Sequence, residues 1–253
     1  TSMRFVMIAN PVAGRRIEGK VERGLSELRR LGSEGQLWWT ECRGDGARLA
    51  RQAVEEKADT ILAAGGDGTV NEIINGMAGS STALGVFPLG TTNCFGLEMG
   101  IPAHPVEAAR TLMHCRPHRI HLGKANDSYF LLMAGAGFDA EVVHSVMLHP
   151  GLKRKLGKLA YILLGLNCLR KFHPGRLRLT LDDGQKLEGS TAVIGNTRYY
   201  AGSFLLTPDA GCEKEELDVC LFLNHTISAM LGYAWGIIRG GRHIKNPGVV
   251  MRK

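Results

Sequence analysis

The sequence predicts an α/β domain built on a parallel sheet over residues 1–122, followed by a mostly antiparallel β domain over 123–253. Two observations predict this. In the first half, short apolar strands alternate with helical patterns, the rhythm of successive βαβ units. From about His121 the strands follow one another directly and turn signals replace the crossover helices.

Arg4 to Ala9 is the first strand, and Val21, Leu25, Leu28 and Leu31 recur at helical spacing after it. Gln36 to Thr40 is the second strand. Asp45 then offers an N-cap for a helix whose inward face is Ala50, Ala53 and Val54. Asp59 to Ala64 and Leu84 to Phe87 follow as strands, with a helix from about Val70 between them and another from Pro105 to Cys115. In the second half Leu177, Leu179 and Leu181 alternate with polar residues up to the Asp183-Gly184 turn, and Ser190 to Ile194 resumes extended structure. Residues 217 to 223 form another strand, and Thr226 to Ile238 reads as an apolar helix belonging to the core.

The 253 residues are 44% hydrophobic and 22% charged, which excludes disorder and fibres. A formal charge of +7 favours anionic partners such as phosphates, acidic lipid surfaces or nucleic acid, although a solvated basic surface accounts for the same charge. Six cysteines at 42, 94, 115, 168, 212 and 220 include no C-x-x-C pair, as expected of reduced thiols in a cytosolic chain. The N-terminus lacks a signal-peptide cleavage site, and Thr1-Ser2 before Met3 reads as an expression remnant. No apolar run approaches the roughly 20 residues of a spanning helix. A cytoplasmic protein, soluble or peripheral to the inner face of the membrane, is expected.

The most informative stretch is ILAAGGDGTVNEIINGM at 61–77. A buried strand runs into three glycines, and Val70, Ile73, Ile74 and Met77 then recur at i, i+3, i+4 and i+7. A loop at the carboxyl end of a parallel strand is where open α/β sheets bind ligands, and the helix that follows presents unpaired N–H groups to an anion. Glycines let the backbone approach phosphate oxygens. Asp67 is out of place beside phosphates unless a cation intervenes, so it points to a Mg²⁺-nucleotide. The loop is neither a Walker A sequence nor G-x-G-x-x-G, because no Lys-Ser/Thr pair follows and Asn71 takes the third glycine's place. A plain glycine turn remains open on this stretch alone. Two further strand ends, ANPVAGRR at 9–16 and FPLGTTNCFG at 87–96, supply similar small and polar loops and favour one phosphate ligand shared by three strands.

These motifs resemble the diacylglycerol kinase catalytic-domain family, which includes bacterial lipid kinases and sphingosine kinases. Asn10-Pro11 with Gly14, Gly65-Gly66-Asp67-Gly68-Thr69 with Asn71-Glu72, and Pro88-x-Gly90-Thr91-x-Asn93 stand in the family's order. So do AGAGFDAEVV at 134–143, GKLAYILLGL at 157–166 and GNTRYYAGSFLLTPDA at 195–210, so the resemblance covers essentially the whole chain. The glycine-aspartate run by itself is shared with NAD kinases. The resemblance implies an ATP-binding domain followed by a β-sandwich-like, lipid-acceptor domain, with ATP and Mg²⁺ as cofactors, a lipid as partner and no nucleic acid. By motif match Asn10, Gly14, Thr40, Gly65, Gly66, Asp67, Gly68, Thr69, Val70, Asn71 and Thr91 would line the nucleotide, with Asp67 catalytic.

The chain departs from that family at three places. Cys94 stands where an aspartate usually follows the asparagine of the third motif. The usual Asp-Asp-Gly falls at Glu213-Lys214-Glu215, which puts Lys214 at a magnesium-site position. The late Asp-Gly-Glu segment that usually carries the general base would follow His243 to Val249, and the sequence ends at Lys253. A catalytically impaired nucleotide-binding module and an NAD-kinase-like phosphotransferase are therefore the alternatives to an ATP-dependent lipid kinase.

Other constellations carry less. His114, Cys115, His118 and His121 resemble metal ligands, but Pro117 breaks any shared face. Residues 152–172 are basic at the ends and apolar in the middle, with Lys153, Arg154, Lys155 and Lys158 suited to an anionic membrane and a packed helix as the other reading. Asp139 and Glu141 are candidate carboxylates that ordinary solvation at a helix start explains equally well.

Overall fold

The fold was determined as a computed structural model, which describes residues 4–14, 16–149, 151–152, 156, 158–171 and 175–253, with the main chain only at 158–162, 170 and 171. Arg15, Lys153, Arg154 and Lys155 lie outside the described residues, and so does most of the charge expected to meet a membrane at 152–172. The chain divides into two compact units, one of residues 1–120 with 124–131, the other of 121–123 with 132–253.

The first unit alternates strand and helix: β1 (Arg4–Ala9), α1 (Ile17–Arg30), β2 (Glu34–Trp39), α2 (Asp45–Glu55), β3 (Thr60–Gly65), α3 (Asp67–Met77), β4 (Ala83–Pro88), the short α4 (Cys94–Glu98) and α5 (Pro105–His114). The sheet is parallel throughout, in the order β2-β1-β3-β4. Each inner strand is apolar on both faces, as a sheet covered on both sides requires. Phe5, Met7, Ala9, Leu62, Ala64 and Phe87 pack with Ile17, Val21, Leu25 and Leu28 of α1 and Ala108 and Ala109 of α5. The alternate residues Val6, Ile8, Ile61, Ala63 and Val86 are buried too, and α2 and α3 pack together beside β1 and β3. Glycines set that helix pair close: a Cβ at Gly46 would meet the Glu72 side chain at 2.8 Å, and one at Gly76 would meet Ala50 at the same distance. A pair of short strands, β5 (Gly123–Ala125) and β6 (Ser128–Phe130), follows α5.

Asp45 differs in detail from its expected role. It is the first residue of α2 rather than its cap, and its Oδ2 accepts from the N–H groups of Glu41 (2.8 Å) and Cys42 (3.2 Å) in the preceding turn. Those bonds, the Glu41 one foremost, and the Arg48 guanidinium hold its carboxyl below the usual aspartate range.

The second unit is built on an antiparallel sheet, β14-β13-β10-β7, of β7 (Met133–Ala136), β10 (Thr191–Gly195), β13 (Asp218–Phe222) and β14 (Val249–Arg252). β8 (Leu177–Thr180) and β9 (Lys186–Gly189) form the expected hairpin across Asp183-Gly184, with Gly184 at φ 81°. β11 (Tyr199–Tyr200) and β12 (Phe204–Leu205) make a second short pair. Helices α6 (Phe138–Leu148) and α7 (Lys158–Lys171) pack on each other, and α8 (Ile227–Ile238) leads into a 3-10 turn at Arg242–Lys245. Val193, Leu206, Cys220, Phe222, Tyr233 and Val249 form the core, with Tyr233 tilted against Phe222 at 4.9 Å between ring centroids.

The expectation that residues 226–238 belong to the core holds for one face only. Tyr233 is buried and Ala229 and Ile237 pack on the core, while Ile227, Leu231, Trp235 and Ile238 face outward. An all-round apolar sequence fixes helix formation but not which face finds a partner.

Candidate active site

The order of the first sheet places its topological switch point between β1 and β3, because the chain moves to one side of β1 to form β2 and then crosses to the other to form β3. The carboxyl ends of these strands are Ala9 and Gly65, each continuing into a motif loop, and the loop after β4 lies beside them. Backbone bonds bind the three together. Asn10 N–H donates to Ala64 O (3.1 Å), and the N–H groups of Leu89 (2.9 Å) and Gly90 (3.1 Å) both donate to Gly65 O.

Close approach explains several of the glycines. A Cβ on Gly14 would overlap the Leu89 carbonyl, one on Gly66 would sit 3.3 Å from Gly90 Cα, and one on Gly65 would meet Thr69 Oγ1 at 2.6 Å. Gly68 differs. A Cβ there would meet nothing within 4 Å, so this glycine opens onto free space at the start of α3. The N–H groups of Asp67, Gly68 and Thr69 are in the first helical turn and have no intrahelical carbonyl four residues back to bond, the arrangement in which a helix start can accept an anion.

Asn10 is placed to steady this end. Its Nδ2 donates to Thr69 Oγ1 (3.1 Å) and its Oδ1 accepts from Val12 N–H (3.0 Å), which turns the first loop. Asn93 does the same for the third loop: at φ 52°, a left-handed conformation asparagine tolerates, it accepts from Gly90 N–H (2.8 Å) and donates to the carbonyls of Pro88 (2.9 Å) and Gly90 (3.0 Å). Thr40 is buried at the end of β2, its N–H bonded to Ala9 O (2.9 Å), and Thr91 is exposed on the third loop.

Asp67 is held by the third loop. Its Oδ2 accepts from Thr92 Oγ1 (2.8 Å) and Cys94 N–H (3.0 Å), and its Oδ1 accepts from Phe95 N–H (3.1 Å). The carboxylate thereby caps α4 and fastens the helix start of one loop to that of another. Cys94 is buried at this junction. A carboxylate has about four acceptor positions, so three are taken and about one remains for a cation.

Two predicted residues lie away from the loop surface. Val70 is buried in the core, and its N–H bonds Gly66 O (3.1 Å). Asn71 turns toward the β6 strand, accepting from Leu131 N–H (3.0 Å) and donating to Tyr129 O (3.4 Å), and Asn75 pairs with Tyr129 in both directions at 2.8 Å. The sequence offers a signal for this pair only in retrospect, since asparagines four apart share one helix face.

In the second unit, Asp139 stands in the first turn of α6 against Gly135, where any larger residue would collide with the carboxylate. The Tyr200 hydroxyl donates to Asp139 Oδ1. Burial raises its carboxyl above the ordinary aspartate value, and the tyrosine bond opposes that only in part. The sequence marks Asp139 as a candidate and Tyr200 lies in the family-like stretch at 195–210, but no local pattern pairs two residues 61 apart. Lys214 donates its ammonium to the Asp209 carbonyl. Among the described residues no three His, Cys, Asp or Glu side chains are arranged to hold a metal ion. His114 bonds back to the Arg110 carbonyl (2.9 Å) and Cys115 to that of Leu112 (3.4 Å).

Comparison with known proteins adds to this geometry. Residues 4–125 match the family described as "Diacylglycerol kinase catalytic domain", and residues 133–253 match the "YegS C-terminal NAD kinase beta sandwich-like domain". The chain is 32% identical over 256 residues to a diacylglycerol kinase of Bacillus subtilis, spanning 99% of this chain and 83% of that one. It is 31% identical over 252 residues to a diacylglycerol kinase of Staphylococcus haemolyticus, spanning 98% and 75%. A crystal structure of a diacylglycerol kinase from Bacillus anthracis superposes with a TM-score of 0.72 at 28% identity, over 99% of this chain and 84% of that one.

Proposed function

The chain belongs to the diacylglycerol kinase catalytic-domain family, and from that premise we propose that it transfers the γ-phosphate of ATP to a lipid hydroxyl on a diacylglycerol-like or sphingoid-like acceptor. The observation that carries this reading is the Asn10–Thr69 bond across the switch point, because it fixes the two strand-end loops around the free N–H groups that open α3. In this reading the α/β unit binds the nucleotide and the β-rich unit provides for the lipid, at the inner face of a membrane.

Gly68 and Thr69 offer backbone N–H groups to phosphate oxygens, and the open space beside Gly68 is where those oxygens fit. Gly14, Gly65 and Gly66 keep the three loops close enough to act as one cradle, Thr40 and Thr91 flank it, and Val70 and Asn71 support it from behind. Mg²⁺ fits this donor set only as the partner of a bound nucleotide, since Asp67 is the one carboxylate among the described residues of the three loops after β1, β3 and β4 and has about one acceptor position left. When bound, the ion would neutralise charge on the phosphates. Thr92, Cys94 and Phe95 hold the Asp67 carboxylate in one orientation for that contact.

A lipid hydroxyl is a weak nucleophile and gains from a base that takes its proton. We assign that role to Asp139, whose desolvated carboxylate binds a proton more tightly than an exposed one and whose position is fixed by Tyr200. The reading of the chain as a nucleotide-binding module without turnover draws on Lys214, which puts a cation where the family resemblance expects a magnesium-site aspartate.

The test is ATP turnover with dispersed diacylglycerol or a sphingoid base as acceptor, run beside NAD. Lipid-dependent turnover supports the kinase. Phosphorylation of NAD alone would replace it with the NAD-kinase-like reading, and an ATP-induced rise in melting temperature without turnover would leave a binding module.

A further inference from the structure

α8 has more apolar surface than its own unit covers. Its inner face is satisfied by the core through Tyr233, Ala229 and Ile237. On the outer face Ile227, Leu231, Trp235 and Ile238 are 56%, 52%, 58% and 58% exposed, and their spacing of 4, 4 and 3 residues stacks them along one stripe. Four large apolar side chains in one stripe form a contiguous patch rather than scattered exposure.

The charges that follow the stripe along the chain are basic, although Lys253 at the far end is paired with Glu216 at 3.9 Å. Residues 219–253 contain Arg239, Arg242, Lys245, Arg252 and Lys253 and no aspartate or glutamate. Arg239, Arg242 and Lys245 are exposed just beyond the helix, and the Arg239 guanidinium lies 4.8 Å over the Trp235 ring. The apolar stripe therefore ends in an indole capped by a cation. The other end is set by Thr226, whose Oγ1 accepts from Ala229 N–H (3.3 Å). A helix of 12 residues is about 18 Å long, too short to cross a bilayer but suited to lying in its interface.

We infer that the outer face of α8 docks into the headgroup region of an anionic membrane, with Ile227, Leu231, Trp235 and Ile238 entering the acyl boundary and Arg239, Arg242 and Lys245 meeting the lipid phosphates. A second copy of the chain fits the patch less well, because residues 219–253 would bring no carboxylate to meet Arg239, Arg242 and Lys245. The inference names the surface at which the kinase of the preceding section would meet its substrate and rests on that reading for its biological sense, but docking is measured without ATP.

The experiment is sedimentation with vesicles of phosphatidylcholine, alone or with 30% phosphatidylserine, at low and high salt. Binding is expected with the anionic vesicles, weaker at high salt. Leu231→Glu with Trp235→Glu should weaken it at least tenfold, and so should Arg239→Glu, Arg242→Glu and Lys245→Glu together, with the melting temperature and its ATP-induced shift unchanged. In a chain with Trp38 and Trp39 replaced by phenylalanine, brominated lipid should quench Trp235. Undiminished binding by either set of variants, equal binding to neutral vesicles, or an unquenched Trp235 would overturn the assignment. A wild-type dimer that the Leu231 and Trp235 changes dissociate, without vesicle binding, would give the face to a second copy. Failure of lipid phosphorylation in detergent micelles bears on the kinase reading alone.

Discussion

Asn10 Nδ2 donates to Thr69 Oγ1 over 3.1 Å, joining residues 59 apart in sequence across the point where the sheet order reverses. Thr69 is buried and Asn10 is not, so the bond ties an exposed loop to the start of a packed helix. Asn10→Asp keeps the oxygen that turns the first loop but loses the donor to Thr69 and adds a negative charge where phosphate is proposed to bind. Stability should fall by only about 1 kcal/mol, the usual worth of such a bond. ATP affinity should fall more than tenfold, as read from the ATP-induced shift in melting temperature.

Glycines 66 and 68 separate packing from ligand approach. Gly66→Val would drive a side chain into Gly90 and should destabilise the loops whether or not nucleotide binds. Gly68→Ala enters open space within a helix, where alanine is favoured over glycine by up to about 1 kcal/mol. The expected result is a protein as stable as the parent or slightly more so that binds ATP at least tenfold more weakly. Calorimetry of ATP binding to Gly68→Ala decides it, and unchanged affinity would remove the phosphate from the α3 terminus.

Asp67→Asn replaces an acceptor oxygen with a donor that must face either Phe95 N–H or the Thr92 and Cys94 pair. One buried donor then loses its partner, at a cost of roughly 1–3 kcal/mol. Turnover should be lost with only a modest change in ATP affinity, because the backbone donors of α3 are untouched. Wild-type turnover in Asp67→Asn at saturating Mg²⁺ would leave the carboxylate only its role in capping α4.

The four strands of the parallel sheet are legible in the sequence because the apolar spacing switches cleanly between periods, and each appears within about two residues of its expected bounds, whereas the short α4 and the β5-β6 pair carry too few apolar residues to show a period. The discrepancies have local causes. β2 starts earlier than its composition implies because Gly35, a residue that reads as a turn, packs under the Phe5 backbone and ring, where a Cβ would collide. α3 starts at Asp67 because Gly-Asp-Gly looks like loop while its glycines adopt helix and cap geometry. The glycines proposed to face phosphate are legible as a motif. The anchoring of Asp67 to Thr92 and Phe95, and of Asn71 to Leu131, depends on which loops the sheet brings together, and no local pattern encodes it.

Glu27 joins α1 to α5 by accepting from Arg30 (2.8 Å) on its own helix and from Arg110 (2.7 Å) across the helix pair. The hydrogen bond from Arg30, then that from Arg110, holds its carboxyl down at about 2, against an ordinary value of 4.5. A carboxyl lowered by folding stabilises above its unfolded value, and that contribution is lost as pH falls through the folded one. The Glu27→Gln variant should therefore melt below the parent at neutral pH. The gap should close between about pH 4.5 and 2, as followed by circular dichroism on both proteins across that range.

Asp139 carries the opposite shift, and the proposed role as base ties it to turnover. Burial raises the carboxyl above its ordinary value of 3.8, so the group is protonated in the folded protein over a pH range where an exposed aspartate is already ionised. Stability contributed in this way is full below the unfolded value and lost as pH rises through the folded one, so Asp139→Asn should not destabilise the protein at neutral pH and should remove part of its alkaline sensitivity. As the proposed base it must be ionised to act, which puts the acid limb of the turnover profile above pH 3.8. Asp139→Asn should cut turnover roughly 10²- to 10⁴-fold, the range of a lost general base, while the ATP-induced melting shift should stay intact because the proposed phosphate donors belong to the other unit. Tyr200→Phe retains the carboxylate and removes the opposing hydrogen bond, so the acid limb should move further up in pH with only a modest loss of maximal rate. That displacement distinguishes a working base from a structural carboxylate, for which Tyr200→Phe would leave the limb in place and Asp139→Asn would leave turnover near the parent's.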